Sequence, residues 1–387
     1  MDHPLIYLIA GEASGDVLGA RLMTALLARR PDLRFAGIGG ERMAQHGLTT
    51  LFPLRELALM GLLEILPRLI ALRRRLRETV ADIAARRPAV VVTIDSPGFT
   101  LRVLRAIAPL GLRRAHYVAP QVWAWRPGRV RHYGGLWDRL LCLLPFEPAF
   151  FARHGLPATF VGHPVLESGA ETGDAARFRA RHGLPPAAQV LTVMPGSRRT
   201  EVARMLPTFG AALRLVAARV PGLVPAVPLA GPVAEAVAVG AAQWPTPPIL
   251  LDTIEDKHDA FAASAAALTK SGTSTLELAM AGVPMLVSQR GNPISVAIFR
   301  RMVTVPHLSI LNLIAGQEIV PELLQQDCTP ERIAAALVPL LTDPTAAAAQ
   351  RAACRAVLAQ IAPPVGTPGD GTPSAAAAAA VLALIDL

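Results

Sequence analysis

Ala89-Val90-Val91-Val92-Thr93-Ile94-Asp95-Ser96-Pro97-Gly98 is the stretch that decides the fold. Six apolar or β-branched residues without alternation read as a strand buried on both faces, the kind that parallel sheets use beneath helices. The run stops in a polar turn, and a helical pattern follows over 101–110. Outward from here the same unit recurs. Upstream lies a strand over 5–10, with a helix from about Asp16 to Arg30; downstream, strands fall at 115–119, 139–144 and 159–161. After a Gly/Glu-rich stretch near 167–174 the pattern restarts, with strands at 190–194, 224–229, 249–251, 266–269 and 284–287. Helices at 198–219, 233–243, 256–263 and 273–281 separate them. Two such runs predict an α/β protein of two Rossmann-like domains with a boundary near 165–185. Residues 363–380, rich in Pro, Gly and Ala, read as a low-complexity linker to an apolar terminal helix.

The composition agrees with that size and excludes several classes. A chain of 387 residues suits two domains of about 100–200 residues each. With 52% hydrophobic and 17% charged residues it is not disordered. Cys142, Cys328 and Cys354 are too few and too scattered for a disulfide framework or a metal cluster, which fits a reducing cytoplasm. The N-terminus lacks the basic region of a signal peptide, and the longest apolar candidate, 223–251, is broken by six prolines. The net charge is +9, and it is lopsided: 22 basic and 13 acidic residues up to position 170, then 16 of each. Of the 38 basic residues only Lys257 and Lys270 are lysine, a bias toward Arg that does not account for the asymmetry. One domain is therefore expected to meet an anionic partner.

Ligands of parallel α/β sheets bind outside the carboxyl ends of the strands, so the loops there carry the chemistry. The first strand enters Gly11-Glu12-Ala13-Ser14-Gly15-Asp16, which is not the GxGxxG dinucleotide fingerprint. Its glycines suit close ligand approach and Glu12, Ser14 and Asp16 offer polar contacts, although Ser14 or Asp16 equally suits a helix cap. Asp95 is placed either to take a proton from an attacking hydroxyl or to cap the next helix. Gln121 and Trp123, in Pro120-Gln121-Val122-Trp123-Ala124-Trp125, suit a sugar or acyl chain, or core packing for the ring. Downstream of an apolar stretch beginning at Leu57, Arg68, Arg73, Arg74, Arg75 and Arg77 have the composition of an anionic-lipid-binding element, or of a solvated helix face. In the second half, Pro195-Gly196-Ser197-Arg198 can set backbone N–H groups and Arg198 against a phosphate. Lys270-Ser271-Gly272-Thr273-Ser274-Thr275-Leu276-Glu277 repeats that logic, and its Ser274 and Glu277 are also spaced as a capping box.

Taken in order, these segments make the chain similar to the lipid-A-disaccharide synthase family, glycosyltransferases of GT-B type. The matching segments are 11–16 (GEASGD), 37–40 (GIGG), 60–64, 94–98, 120–125 (PQVWAW), 144–147 (LPFE), 162–164 (GHP), 195–198 (PGSR), 271–277 (SGTSTLE) and 311–316 (LNLIAG). The resemblance implies two parallel sheets facing a cleft. An acceptor (lipid) domain would occupy 1–168 and a UDP-sugar domain 169–345. A helical segment, 346–387, would cross to the other domain or to a partner subunit of a homodimer. It implies an inverting hexosyltransferase that joins UDP-2,3-diacylglucosamine to 2,3-diacylglucosamine 1-phosphate, giving the β(1→6) disaccharide of lipid A and UDP. Ser197 and Arg198 would lie near the diphosphate, Ser271, Gly272, Thr273, Ser274 and Thr275 would cradle it, Glu277 would hold the ribose and Asn312 would add a polar contact. Asp95 is the candidate general base and Arg198 the candidate group that stabilises departing UDP.

The family is metal-independent, and neither cofactor nor metal is expected; arginines and helix N-termini would carry the leaving-group charge. The protein would be cytoplasmic and peripheral on the anionic inner membrane, with no nucleic-acid partner. One departure stands out: where the family has a Tyr-Arg pair this chain has Gln289-Arg290, so Arg290 keeps its nucleotide or acceptor contact while the ring is lost. The rival readings are another GT-B enzyme of UDP-GlcNAc, namely a peptidoglycan GlcNAc transferase or a 2-epimerase, and a non-catalytic anionic-lipid-binding protein. GEASGD and PQVWAW disfavour the two enzymes.

Overall fold

The computed structural model describes residues 3–57, 65–292, 296 and 302–386, without the side chains of 65–69 and Pro232. Two units divide the chain: Met1–Pro164 together with Ile361–Leu387, and Val165–Gln360.

In the first unit seven strands form one parallel sheet: β1 (Leu5–Ala10), β2 (Arg34–Ile38), β3 (Thr49–Thr50), β4 (Val90–Ile94), β5 (Arg113–Tyr117), β6 (Arg139–Cys142) and β7 (Ala158–Phe160). Their order is β3-β2-β1-β4-β5-β6-β7, so the winding reverses between β1 and β4. Register pairs Ile6 with Val90 and Ala10 with Ile94. The pleat sorts β1 onto two cores. Tyr7 and Ile9 pack on one face with Phe99, Val103 and Leu104, and Ile6, Leu8 and Ala10 on the other with Leu22, Met23 and Leu26. Every residue of β4 is buried, as its unbroken apolar run requires.

β2 and β3 escape the sequence pattern. β2 (RFAGI) opens on an exposed Arg34 and contains Gly37, and β3 has two exposed threonines, so neither looks like a buried strand. Residues 363–380 also differ from the linker expected. The Pro/Gly-rich part is irregular, but Pro373–Ile385 is a helix whose Ala377, Ala378, Val381 and Leu384 are buried against the helix Ala13–Arg29. Alanine is the best helix former, and its small side chain lets two helices approach closely.

The second unit repeats the plan with β8 (Gln189–Met194), β9 (Leu223–Pro228), β10 (Ile249–Leu251), β11 (Ser264–Thr269), β12 (Met285–Gln289) and β13 (Glu322–Leu324), ordered β10-β9-β8-β11-β12-β13. The reversal falls between β8 and β11. In each unit, therefore, the loops after the two central strands flank a topological switch point, where such sheets bind ligands.

Candidate active site

At the switch point of the first unit the two central loops touch. A Cβ at Gly11 would lie 2.1 Å from the Cβ of Ser96, so only glycine lets the β1 loop pass the β4 loop. Asp95 (φ 52°) and Ser96 (φ 45°) are left-handed, and Val118, after the neighbouring β5, has φ 77°. Such conformations cost about 1–3 kcal/mol each and concentrate where function fixes the backbone. Asp95 Oδ1 accepts the Ser96 N–H at 2.7 Å, and Thr100 Oγ1 donates to the Asp95 carbonyl at 2.7 Å. Oδ2 has no hydrogen bond among the described residues, and the side chain is half-buried. Ser96 is the residue at the helix cap, without a side-chain cap bond, which leaves the Asp95 carboxylate available.

The remaining first-unit candidates separate. Glu12 and Ser14 are exposed at the start of the helix Ala13–Arg29. Asp16 is buried, and its carboxylate accepts from the N–H groups of Gly40 (2.7 Å), Arg42 (3.1 Å) and Met43 (3.1 Å). It caps the short helix Glu41–Ala44 across 24 residues of chain. Gln121 is exposed. Trp123 is half-buried, edge-on to Phe146 with centroids 4.8 Å apart, and its Nε1–H donates to Glu147 Oε1 at 3.1 Å. Glu147, only 2% exposed, also accepts from the N–H groups of Leu143 and Leu144, both at 3.0 Å. Burial pushes its carboxyl up to about 7, against the pull of those three donors.

The arginine cluster lies on the helix Ile65–Arg86. Arg75 is not free for a lipid: it pairs with Glu56 and Glu78 at 2.6 Å each and covers the Phe52 ring at 4.6 Å. Arg73, Arg74 and Arg77 are exposed, and Ile70 shares their face at 63% exposure. The side chain of Arg68 and all of 60–64 lie outside the described residues.

In the second unit a pocket of about 400 Å³ opens at the carboxyl ends of β8, β9, β10 and β11. It gathers Ser197, Gly272, Thr273, Ser274 and Glu277 from the predicted set, and adds Gly196, Asp252, Thr253, Lys257 and Lys270. The sequence did carry a signal for the last two: they are the only lysines in a chain that otherwise uses arginine, and both line this pocket. Lys257 Nζ pairs with Glu277 at 3.2 Å, and Lys270 Nζ with Glu201 Oε1 at 3.0 Å. The capping box is absent as a result. Glu277 turns to Lys257 instead of the helix start, and Thr273, which occupies the cap of Ser274–Met280, makes no side-chain cap bond.

Three predicted residues shape the loops instead of the pocket wall. Ser271 Oγ donates to the Leu308 carbonyl at 2.8 Å, and buried Thr275 Oγ1 donates to Gly272 at 2.7 Å. Asn312 is fully buried, with its amide on Val320 and Glu322 and its oxygen on the N–H groups of Ile319 and Val320. Its carboxamide is satisfied within the chain, which removes the polar nucleotide contact expected of it. Arg290 is exposed beyond β12, away from the pocket wall. Among the described residues no group of three His, Cys, Asp or Glu side chains is arranged to hold a metal ion.

Residues 6–365 match the family model described as lipid-A-disaccharide synthetase. The chain is 56% identical to the lipid-A-disaccharide synthase of Granulibacter bethesdensis over the full length of both. It is 54% identical to that of Gluconobacter oxydans, over 99% of this chain and 91% of the relative. Among solved structures it resembles the kitacinnamycin glycotransferase, with TM-score 0.65 at 18% identity and full coverage of both chains. It also resembles the Neisseria meningitidis UDP-GlcNAc 2-epimerase bound to UDP-GlcNAc, with TM-score 0.64 at 13% identity over 98% of this chain and 100% of that one. At those identities the likeness is one of fold, and the fold is GT-B.

Proposed function

The chain belongs to the lipid-A-disaccharide synthetase family, and from that premise we propose how its residues carry out the family's transfer. The enzyme is an inverting hexosyltransferase that joins UDP-2,3-diacylglucosamine to 2,3-diacylglucosamine 1-phosphate and releases UDP. End-to-end identity of 56% is the observation that carries this reading; the division of roles below rests on the two switch points.

The second unit holds the nucleotide. Its pocket offers the N–H of Ser197, the small-residue loop at Gly272, Thr273 and Ser274, and two ammonium groups, a donor set suited to a diphosphate. Arg198, with 69% of its side chain exposed, is accessible to charge building on the leaving group. Glu277 accepts from the ribose hydroxyls, and Ser271, Thr275 and Asn312 hold the surrounding loops in shape. Arg290 makes a peripheral contact.

The first unit handles the lipid acceptor. Asp95 Oδ2 takes the proton of the attacking hydroxyl as the new C–O bond forms at the anomeric carbon; the bond to the diphosphate breaks and its electron pair leaves with UDP. The Ser96 N–H on Oδ1 orients the carboxylate for this step. Glu12, Ser14, Gln121 and Trp123 contact the acceptor. Exposed Arg73, Arg74 and Arg77 meet the acceptor phosphate or the anionic cytoplasmic face of the inner membrane, to which the protein binds peripherally. No helix among the described residues is long and apolar enough to cross a membrane.

Asp95→Ala tests the assignment. Disaccharide formation from the two lipid precursors should fall by about two orders of magnitude or more, with the Kd for UDP unchanged. Normal turnover in this variant rules Asp95 out as the base.

A further inference from the structure

Ser197, Arg198 and Lys270, which the reading above turns toward a diphosphate, already converge on an anion that belongs to the chain. Glu201 lies in the first turn of Arg199–Ala217. Its Oε1 accepts from Lys270 Nζ at 3.0 Å and from Arg198 Nη1 at 3.2 Å, and Oε2 accepts the Ser197 N–H at 3.4 Å. Gly196 makes room for it: with φ 132°, a Cβ there would stand 2.9 Å from Oε2. Only 18% of the Glu201 side chain and 17% of the Lys270 side chain are exposed. Burial alone pushes the Glu201 carboxyl up, but the hydrogen bond and charge of Lys270, with Arg198, outweigh it and hold the group below the usual range.

We propose that Glu201 is a built-in competitor of the nucleotide, a carboxylate that takes the same three donors as the diphosphate and yields them when UDP or the UDP-sugar binds. This deepens the assignment of the pocket to UDP and rests on it. A backbone N–H at a strand-to-helix turn, a guanidinium and an ammonium form a constellation that recognises phosphate oxygens. A carboxylate presents charge of the same sign and oxygen acceptors of the same kind at closer tether. The other pocket lysine, Lys257, is likewise neutralised by Glu277, so nucleotide binding exchanges partners instead of filling a bare positive site. The functional consequence lies in release. UDP leaves with more charge than the bound sugar nucleotide carried on the same phosphates. A carboxylate returning to Lys270 and Arg198 offsets the loss of its contacts and speeds departure.

Glu201→Gln retains shape and removes the charge. UDP should then bind about tenfold tighter, the factor that ~1.4 kcal/mol supplies, and dissociate correspondingly more slowly in stopped flow. Uridine, which has no phosphates, should bind both proteins equally. Should the Gln variant fail to fold, Glu201→Asp carries the test. It shortens the tether and withdraws the carboxylate from its donors, so UDP should again tighten while uridine does not. Equal or weaker UDP binding by the folded variant, with the wild type binding UDP, overturns the proposal alone and leaves Glu201 as a positioning residue for Arg198 and Lys270. A wild type that binds no UDP overturns the proposal together with the assignment of the pocket.

Discussion

Glu147 shows how one buried carboxylate ties two segments of the first unit together. It opens the short helix Glu147–Ala152 after β6, holds the Leu143 and Leu144 N–H groups of the intervening loop and reaches Trp123 in the segment after β5. Burial costs the ionised form more than these three bonds return, and its carboxyl titrates near 7 in the folded chain, against an ordinary value of 4.5. The folded state therefore binds more protons than the unfolded state between those values, and this group's contribution to stability falls as pH rises from 4.5 through 7. The span corresponds to roughly 3 kcal/mol. In Glu147→Gln the amide cannot accept from all three donors, so a loss of about 1–2 kcal/mol is expected at low pH. The variant should lose the pH trend. Urea melts at pH 5 and pH 8 check this: the stability difference between wild type and variant should shrink or change sign at the higher pH, and a constant difference rules out titration of Glu147. Asp16 and Asn312 teach the complementary lesson. Each is a polar residue in a motif position by sequence alone, yet each satisfies backbone groups 7 to 27 residues away, which no local spacing discloses.

At the scale of elements, the buried central strands were legible because burial leaves them mostly apolar or β-branched residues: β1, β4, β8 and β11 are of this kind. β2 and β3 were not: β3 is the edge strand and tolerates adjacent exposed threonines, and β2 opens on an exposed Arg34 that β3, pairing only with Ala36 and Gly37, does not cover. The helix Pro373–Ile385 was half legible. An apolar terminal helix was expected, but its alanines up to 380 read as linker; its partner, Ala13–Arg29, lies at the other end of the chain, and a nearly uniform apolar surface has no periodicity to show which face is buried. Packing decides it: Ala378 is fully buried whereas Ala383 is exposed. Ala378→Asp should cost about 3 kcal/mol or more through an unpaired buried charge, while Ala383→Asp stays within about 0.5 kcal/mol. Thermal unfolding of the two variants makes the comparison. Equal melting temperatures would mean that the helix does not hold to the first unit in solution.

For the whole molecule, the unequal charge now has an address. With the C-terminal segment assigned to it, the first unit has 22 basic and 14 acidic residues, and the second has 16 and 15. The positive excess thus belongs to the unit proposed to meet lipid, and the nucleotide pocket works with paired, local charges. Within the first unit the helix Ile65–Arg86 divides its arginines. Arg75 is committed to Glu56, Glu78 and Phe52, and Arg73, Arg74 and Arg77 face outward beside exposed Ile70. Each exposed arginine near an anionic surface contributes about 1 kcal/mol, an interaction that falls away within a Debye length. Reversing all three to Glu should weaken binding to anionic vesicles by about a hundredfold or more and leave the Kd for UDP unaltered. Vesicle binding by the wild type should also fall far more steeply with salt than UDP binding, because the carboxylates around the pocket lysines already screen that site. Equal salt dependence of the two, or full vesicle binding by the triple variant, would place the membrane contact elsewhere on the unit.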